Sequence, residues 1–243
     1  VRLVYERESI TVAELKEILN TSESTIRRDI ITLDKEGRLT KVFGGAIALH
    51  PAQIVNKELS MVQKQELQTT EKQAIARYAA SLIEPDDCVY LDAGTTTGWM
   101  IEYIRQEKAT YITNALSHAK RLADKGFSVI LIGGEPKSST DAIVGGEAVL
   151  NLQKYHFSKG FFGVNGVDRL SGFTTPDVKE AVEKQAAVKN TQPAHRYFLT
   201  TSSKFGEVYA VTFAGFEGGT ILTEDNVSEV LPKSIEIINV TQQ

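Results

Sequence analysis

One cysteine, one tryptophan, two methionines and six prolines are all that the 243 residues contain of these types. A single thiol, Cys88, excludes an intrachain disulfide and fits a reducing compartment, the cytoplasm. Long apolar runs are missing too. The longest candidate, Phe127–Ile132, is strand-sized, far short of the ~20 residues of a membrane span, so no membrane partner is expected. No signal-peptide pattern opens the chain; it begins at Val1 rather than Met, so we expect the true N-terminus upstream. His50, His118, His156 and His195 are scattered without metal-ligand spacing, so neither a metal nor a cofactor is expected. Charge of one sign is scarce in excess: 27 basic against 31 acidic residues leave −4, too little to coat nucleic acid wholesale. With 42% hydrophobic and 24% charged residues, disordered and fibrous classes are excluded, and the length suits one or two domains.

What is present falls into two parts. Over residues 1–49 apolar positions recur three and four apart. Ile10, Val12, Leu15, Ile18 and Leu19 fit one helix and its entry; Ile26, Ile30 and Leu33 fit a second, over Glu23–Glu36. Between them Asn20-Thr21-Ser22 forms a tight turn, with Ser22 a good N-cap. Gly37 stops the second helix. Arg38–Phe43 and Ala46–Leu49 then flank Gly44-Gly45, a two-residue hairpin signal. Two short helices followed by a hairpin predict a winged helix-turn-helix. Residues 50–69 turn polar and Gln-rich and read as a linker with some helical character.

From residue 70 to 243 helices and strands alternate. Strands are expected over 88–92, 109–113, 127–132, 157–164, 197–200, 209–212, 220–223 and 235–240. Helices are expected over 71–83, 97–105, 115–125, 147–154 and 177–189. The alternation predicts an α/β class, with a larger C-terminal domain whose mostly parallel sheet is covered by helices.

In the first part, the second helix turns Ile26, Ile30 and Leu33 inward and presents Arg27 and Arg28 outward. Ser22, Ser24 and Thr25 lie where a recognition helix meets base edges and phosphates. Arg27 and Arg28 offer forked donors to guanine or phosphate. Arg38 and Lys41 on the wing are placed to hold the flanking backbone, and Asp29 reads as a buttress for one of the arginines. Eight bases and eight acids make residues 1–49 neutral. Non-specific DNA affinity should therefore be modest, with oligomerisation needed to supply much of the affinity for a specific site.

In the second part, Leu91–Thr97 closes a strand and opens a helix. Gly94 allows close backbone approach, Thr95, Thr96 and Thr97 supply hydroxyls, and the helix N-terminus supplies free N–H groups. Together they suit a phosphate. Asn114, Gly133-Gly134, Asn165-Gly166 and Ser202–Lys204 follow strands in the same way, and such loops share one edge of an open parallel sheet. Lys204 is placed to neutralise a phosphate, and Asp92 and Asp168 to accept bonds from sugar hydroxyls. The plainer alternatives are a loop cap for Asp168 and a solvated lysine for Lys204.

Both parts carry a resemblance. Ser22–Ile30, with the wing through Gly44-Gly45-Ala46, resembles the DeoR family of bacterial sugar-operon repressors. Phe43 stands where that family commonly has histidine, and of the family's first helix only Val1–Glu8 is present. Leu91–Thr97, Ile112–Asn114, Ile132–Gly134, Gly163–Gly166, Thr174–Ala187 and Ser202–Gly206 are similar to the same family's sensor domain. The resemblance implies a repressor that binds double-stranded operator DNA as a homo-oligomer, dimer or tetramer, and is released by a phosphorylated sugar. It also implies a sensor fold similar to ribose-5-phosphate isomerase and the CoA-transferase-like group. Thr174–Asp177 followed by Glu180-Ala181 looks most like the fructose-operon branch, which implies fructose 1-phosphate.

An isomerase-like enzyme with a vestigial head is the rival reading. In the isomerase pattern two aspartates stand where Asn165 and Asp168 fall here, and an amide cannot take the proton that a carboxylate can. Glu183-Lys184 and Ser203-Lys204 remain, which adds Glu183 to the candidate effector residues. The expectation is binding without turnover.

Overall fold

Thr11 sets the entry to the helix-turn-helix. Its hydroxyl accepts from the Glu14 N–H (3.2 Å), and its own N–H donates to the Glu14 carboxylate (2.7 Å), a reciprocal capping box that starts the helix Val12–Leu19. Asn20 ends this helix in the left-handed conformation, φ 47°. Ser22 caps the next, Glu23–Lys35, by accepting from Thr25 N (3.2 Å). Ile26 and Ile30, one turn apart, enter a core with Val4, Ile10, Val12, Leu15 and Leu39. Ile18 and Leu19, expected on the buried face, are exposed, because the last turn of this eight-residue helix overhangs the small core.

Three short antiparallel strands complete the unit, in the order Ser9–Thr11, Gly45–Ile47, Thr40–Val42. Val42 pairs with Gly45, so the tight turn is Phe43-Gly44, one residue before the expected Gly44-Gly45. Gly44 takes φ 80°. Gly45 is a strand residue, where a Cβ would fall 2.4 Å from the Ile10 carbonyl oxygen. The strand Ser9–Thr11 therefore dictates the second glycine, and the turn needs only the first.

The computed structural model describes residues 1–48, 53–55, 61–225, 227, 231–232 and 235–242. It divides into two units, Val1–Ala52 and Gln53–Gln243. In the second, seven strands form one wholly parallel sheet. Its order is Glu236–Asn239, Gly219–Thr223, Arg196–Leu199, Lys159–Gly163, Cys88–Leu91, Thr110–Thr113, Ser128–Leu131. Side chains alternate between two apolar layers, as a sheet buried on both faces requires. Tyr90, Phe162, Phe198 and Ile221 enter one layer; Val89, Leu91, Phe161, Leu199 and Leu222 enter the other. Phe173 stacks on Phe198 at 3.8 Å between ring centroids, a contact that adds about 1 kcal/mol to burial.

The chain builds this sheet outward from Cys88–Leu91 in both directions. The order therefore reverses between Cys88–Leu91 and Lys159–Gly163, and their carboxyl ends leave a crevice. Within the stretch expected as a linker, Gln53–Ile54 pairs beside Glu207–Val208, and Met61–Glu66 is a helix. His50 lies outside the described residues. Unforeseen elements include the hairpin Glu135–Lys137 and Ala142–Val144, and the strands Gly166–Asp168 and Gly172–Thr175. The strand expected over 209–212 is Val211–Ala214, which pairs antiparallel with Gly172–Thr175 in a small separate sheet rather than in the main one. Among the described residues no helix is long and apolar enough to cross a membrane.

Candidate nucleic-acid interface and anion cavity

Ser22, Ser24, Thr25, Arg27, Arg28, Arg38 and Lys41 are all exposed. The Ser22 hydroxyl is committed to the helix cap and shares hydrogen bonds of 2.8 Å with the hydroxyls of Ser24 and Thr25. Arg27 donates to the Glu23 carboxylate through Nε (3.1 Å) and Nη2 (2.5 Å). The expected buttress, Asp29, does not take this role: Glu23 is one helical turn from Arg27 on the same face, and Asp29 is two residues away on another. Arg27 holds the Glu23 carboxyl below the usual carboxylate range. Arg28 pairs with no carboxylate among the described residues. Arg38 lies 3.5 Å from Glu36. Lys41 N donates to Asp34 Oδ1 (2.9 Å), which ties the wing to the last turns of the recognition helix.

In the second unit a small cavity of about 50 Å³ opens at the crevice of the sheet. Of the expected effector residues, Asp92, Gly94, Asn114, Asn165 and Lys204 line it. Lys64, Thr140, Glu180 and Lys184 line it as well; the sequence points to Lys184 only within Glu183-Lys184 and to Glu180 only in the family resemblance, and to Lys64 and Thr140 not at all. Lys184 Nζ is paired with Asp92 Oδ2 and also donates to the Gly163 carbonyl (3.0 Å). Asp92 Oδ2 accepts from Gly163 N (2.9 Å), while Asp92 Oδ1 is buried without a partner. Burial raises the Asp92 carboxyl against the pull of Lys184. Asn114 Oδ1 accepts from Ala93 N (2.8 Å), so its loop holds the Asp92–Gly94 turn in place.

Lys204 Nζ donates to the Val164 carbonyl. Burial, reinforced by Lys72, Lys64 and Lys184, brings its pKa down to about 7. Lys72 Nζ donates to the carbonyls of Lys64 and Leu67 (2.7 Å to the latter), which fixes the segment carrying Lys64. Glu180 Oε1 accepts from Lys137 (2.9 Å) and Thr140 (2.7 Å), so this carboxylate is already neutralised. A lysine-rich cavity with one unpartnered carboxylate oxygen can hold an anion and also accept from a hydroxyl donor.

The remaining expected residues lie elsewhere. Thr97 is buried, and its hydroxyl donates back to the carbonyls of Asp92 (2.7 Å) and Gly94 (3.0 Å); Thr96 is buried as well. The Thr97 hydroxyl thus serves the turn. Thr95 faces a neighbouring depression with Trp99, His118 and Arg121. Gly94 is extended, φ 170°, and a Cβ there would meet Thr97 Oγ1 at 3.2 Å. Gly133 and Gly134 border another depression with Glu147 and Asn151, because their loop feeds the hairpin Glu135–Lys137. Asp168 caps its own turn, accepting from Leu170 N (3.0 Å) and Ser171 N (2.8 Å). Glu183 is fully buried behind the cavity, where Oε2 accepts from Asn114 Nδ2 (3.4 Å); burial pushes its pKa up to about 8. Lys184 is one turn after Glu180 on the helix Val178–Lys189, and both side chains reach the cavity.

A winged helix and, in the same chain, an α/β unit with a lysine-walled cavity define a DNA-binding transcriptional regulator of the two-domain kind. Residues 1–52 match the DeoR-like helix-turn-helix domain, and residues 67–226 match the DeoR C terminal sensor domain. The chain belongs to the DeoR family. It is 43% identical over 223 residues to the uncharacterized HTH-type transcriptional regulator FruR of Bacillus subtilis, covering 91% of this chain and 87% of that protein. It is 37% identical to the lactose phosphotransferase system repressor of Staphylococcus aureus (97% and 93% covered) and 35% identical to that of Streptococcus mutans (98% and 96% covered). Among solved structures, ribose 5-phosphate isomerase A of Methanocaldococcus jannaschii aligns over 55% of this chain and 53% of its own, at 13% identity and a TM-score of 0.39.

Proposed function

We propose that the chain represses a sugar-utilisation operon and leaves its operator when a phosphorylated sugar, fructose 1-phosphate, fills the cavity. Residues 1–49 act as the DNA-binding part and residues 70–243 as the sensor, in a cytoplasmic homo-oligomer, dimer or tetramer, without enzymatic turnover. The observation that carries the reading is the convergence of Lys64, Lys184 and Lys204 on one cavity at the carboxyl edge of a parallel sheet. Burial and the neighbouring lysines hold Lys204 below its ordinary value, and a dianion bound beside it would relieve that repulsion. Asp92 Oδ1 would accept a sugar hydroxyl.

Relatives named as lactose phosphotransferase system repressors support a sugar that arrives phosphorylated. The likeness of Thr174–Asp177 and Glu180-Ala181 to the fructose-operon branch supports fructose 1-phosphate. The amide at Asn165 supports binding without turnover, as does Asp168, whose Oδ1 caps a turn. The effector acts by binding the DNA-free state more tightly than the DNA-competent one.

The test is thermal unfolding of the full chain with fructose 1-phosphate, fructose 6-phosphate, tagatose 6-phosphate, glycerol 3-phosphate, ribose 5-phosphate and inorganic phosphate. At a hundredfold its dissociation constant a ligand stabilises by about 2.7 kcal/mol. A clear shift with fructose 1-phosphate alone, and loss of operator DNA at the same concentrations, is expected. No shift with any of the six would overturn the sensor reading.

A further inference from the structure

Phe43 is wholly exposed, at 106% the most exposed large apolar side chain among the described residues. It is the first residue of the Phe43-Gly44 turn at the tip of the wing. The turn itself does not call for an aromatic: its one positive φ is at Gly44, and any residue with ordinary backbone angles serves before it. The tip is also held in place. Gly45 packs under the Ile10 carbonyl, and Lys41 N is bonded to Asp34 on the recognition helix. Residues 37–48 include Arg38 and Lys41 and no acidic residue. An apolar ring thus stands at the end of a fixed, basic hairpin, on the unit that carries Arg27 and Arg28.

We infer that Phe43 is a DNA contact, an apolar wedge that the wing seats in the minor groove beside the recognition helix. The minor groove offers what this tip lacks. Phosphates rim it on both sides, facing Arg38 and Lys41, and its interior of sugar and base edges accepts an apolar side chain. The inference rests on the reading that this unit binds duplex DNA.

The test uses the full chain and a labelled duplex selected by the unaltered chain from a randomised pool. Affinity is read by fluorescence anisotropy across a salt series, and Phe43→Ala is compared with Lys41→Ala and with the Arg27→Ala, Arg28→Ala double variant. Phe43→Ala removes only solvated surface, so folding is retained, which circular dichroism checks. It should weaken binding about tenfold with an unchanged salt slope, because no phosphate contact is lost; Lys41→Ala should reduce the slope by about 0.9. Exchanging A·T for G·C pairs under the wing, which places an amino group in the minor groove, should remove the difference between Phe43 and Ala. Unchanged affinity of Phe43→Ala at every salt concentration, with binding lost in the double arginine variant, overturns the wedge and leaves the DNA reading intact. Unchanged affinity in both overturns the two together. A changed sedimentation coefficient without a change in DNA affinity overturns the wedge in favour of a protein contact.

Discussion

Lys184 and Asp92, 92 residues apart in sequence, form an ion pair at the reversal point of the sheet, with side chains 6% and 1% exposed. The pair closes around Gly163, whose N–H goes to Asp92 and whose carbonyl accepts from Lys184. Two central strands and the helix Val178–Lys189 are thereby joined at one point beneath the cavity. A charge taken out of water is costly, and each of these two is tolerable because the other is there.

Removing one partner should therefore be far worse than removing both. Lys184→Met leaves an uncompensated buried carboxylate and should cost roughly 3–5 kcal/mol of stability. Adding Asp92→Asn should recover much of that loss. Urea unfolding of the full chain measures both; a single variant no less stable than the double would refute the account.

Effector affinity should depend on pH through Lys204. Its pKa near 7 means that the free protein loses a cavity cation just above neutrality. Binding of a sugar phosphate should weaken as pH rises through 7, and Lys204→Arg should flatten that dependence. Lys204→Met should weaken binding at pH 6 by about tenfold or more, the scale of a charge-assisted hydrogen bond. The stability effect runs the other way. The unfolded chain keeps this proton up to its ordinary value of 10.5, so the unliganded protein gains stability from pH 7 towards 10.5. Calorimetric titration at several pH values tests the binding trend, and a flat affinity profile in the unaltered chain would count against it.

Glu183 should make the folded state less stable as the solution becomes alkaline. Its pKa of about 8 lies above the ordinary 4.5, so between these values the native state holds a proton that the unfolded state has lost. This contribution is full below pH 4.5 and disappears as pH rises through 8. Glu183→Gln keeps an acceptor for Asn114 Nδ2 and cannot ionise. It should be more stable than the unaltered chain above pH 8, with a flatter profile between 4.5 and 8. Parallel profiles would show that Glu183 ionises normally.

Gly45→Ala tests the third strand of the wing. The added methyl would fall 2.4 Å from the Ile10 carbonyl oxygen, with Thr11 Cα 3.0 Å away, and backbone cannot swing aside as a side chain can. Loss of about 1–3 kcal/mol, the usual scale of overpacking, is expected together with weaker DNA binding. Gly44→Ala meets nothing within 4 Å and suffers only its positive φ, so it should be the milder change. Amide exchange at Ala46 and Ile47 would report which of the two loosens the sheet.

The layered fold was legible because period-two and helical patterns survive in the sequence. Phe161 and Phe162 point to opposite apolar layers, and each of the seven sheet strands falls within a residue or two of its expected place. The strand Ser9–Thr11 was not legible, since three residues before a capping box carry no period to read. Thr97 misled for a different reason. Glycine and threonines at a strand-to-helix turn serve a phosphate or the turn itself with the same residues, and here the hydroxyl bonds back to Asp92 and Gly94. Lys64 and Lys184 reach the cavity from the helices Met61–Glu66 and Val178–Lys189, so only tertiary packing brings them to Lys204.

Trp99 stands on the helix Thr95–Tyr103, one turn beyond the Gly94 bend that borders the cavity, and is partly buried. No other indole exists in the chain. Its emission is therefore a label-free optical signal from one address. Any ligand that tightens or shifts the Gly94 bend writes its own titration curve in tryptophan fluorescence, with nothing from the winged helix mixed into it.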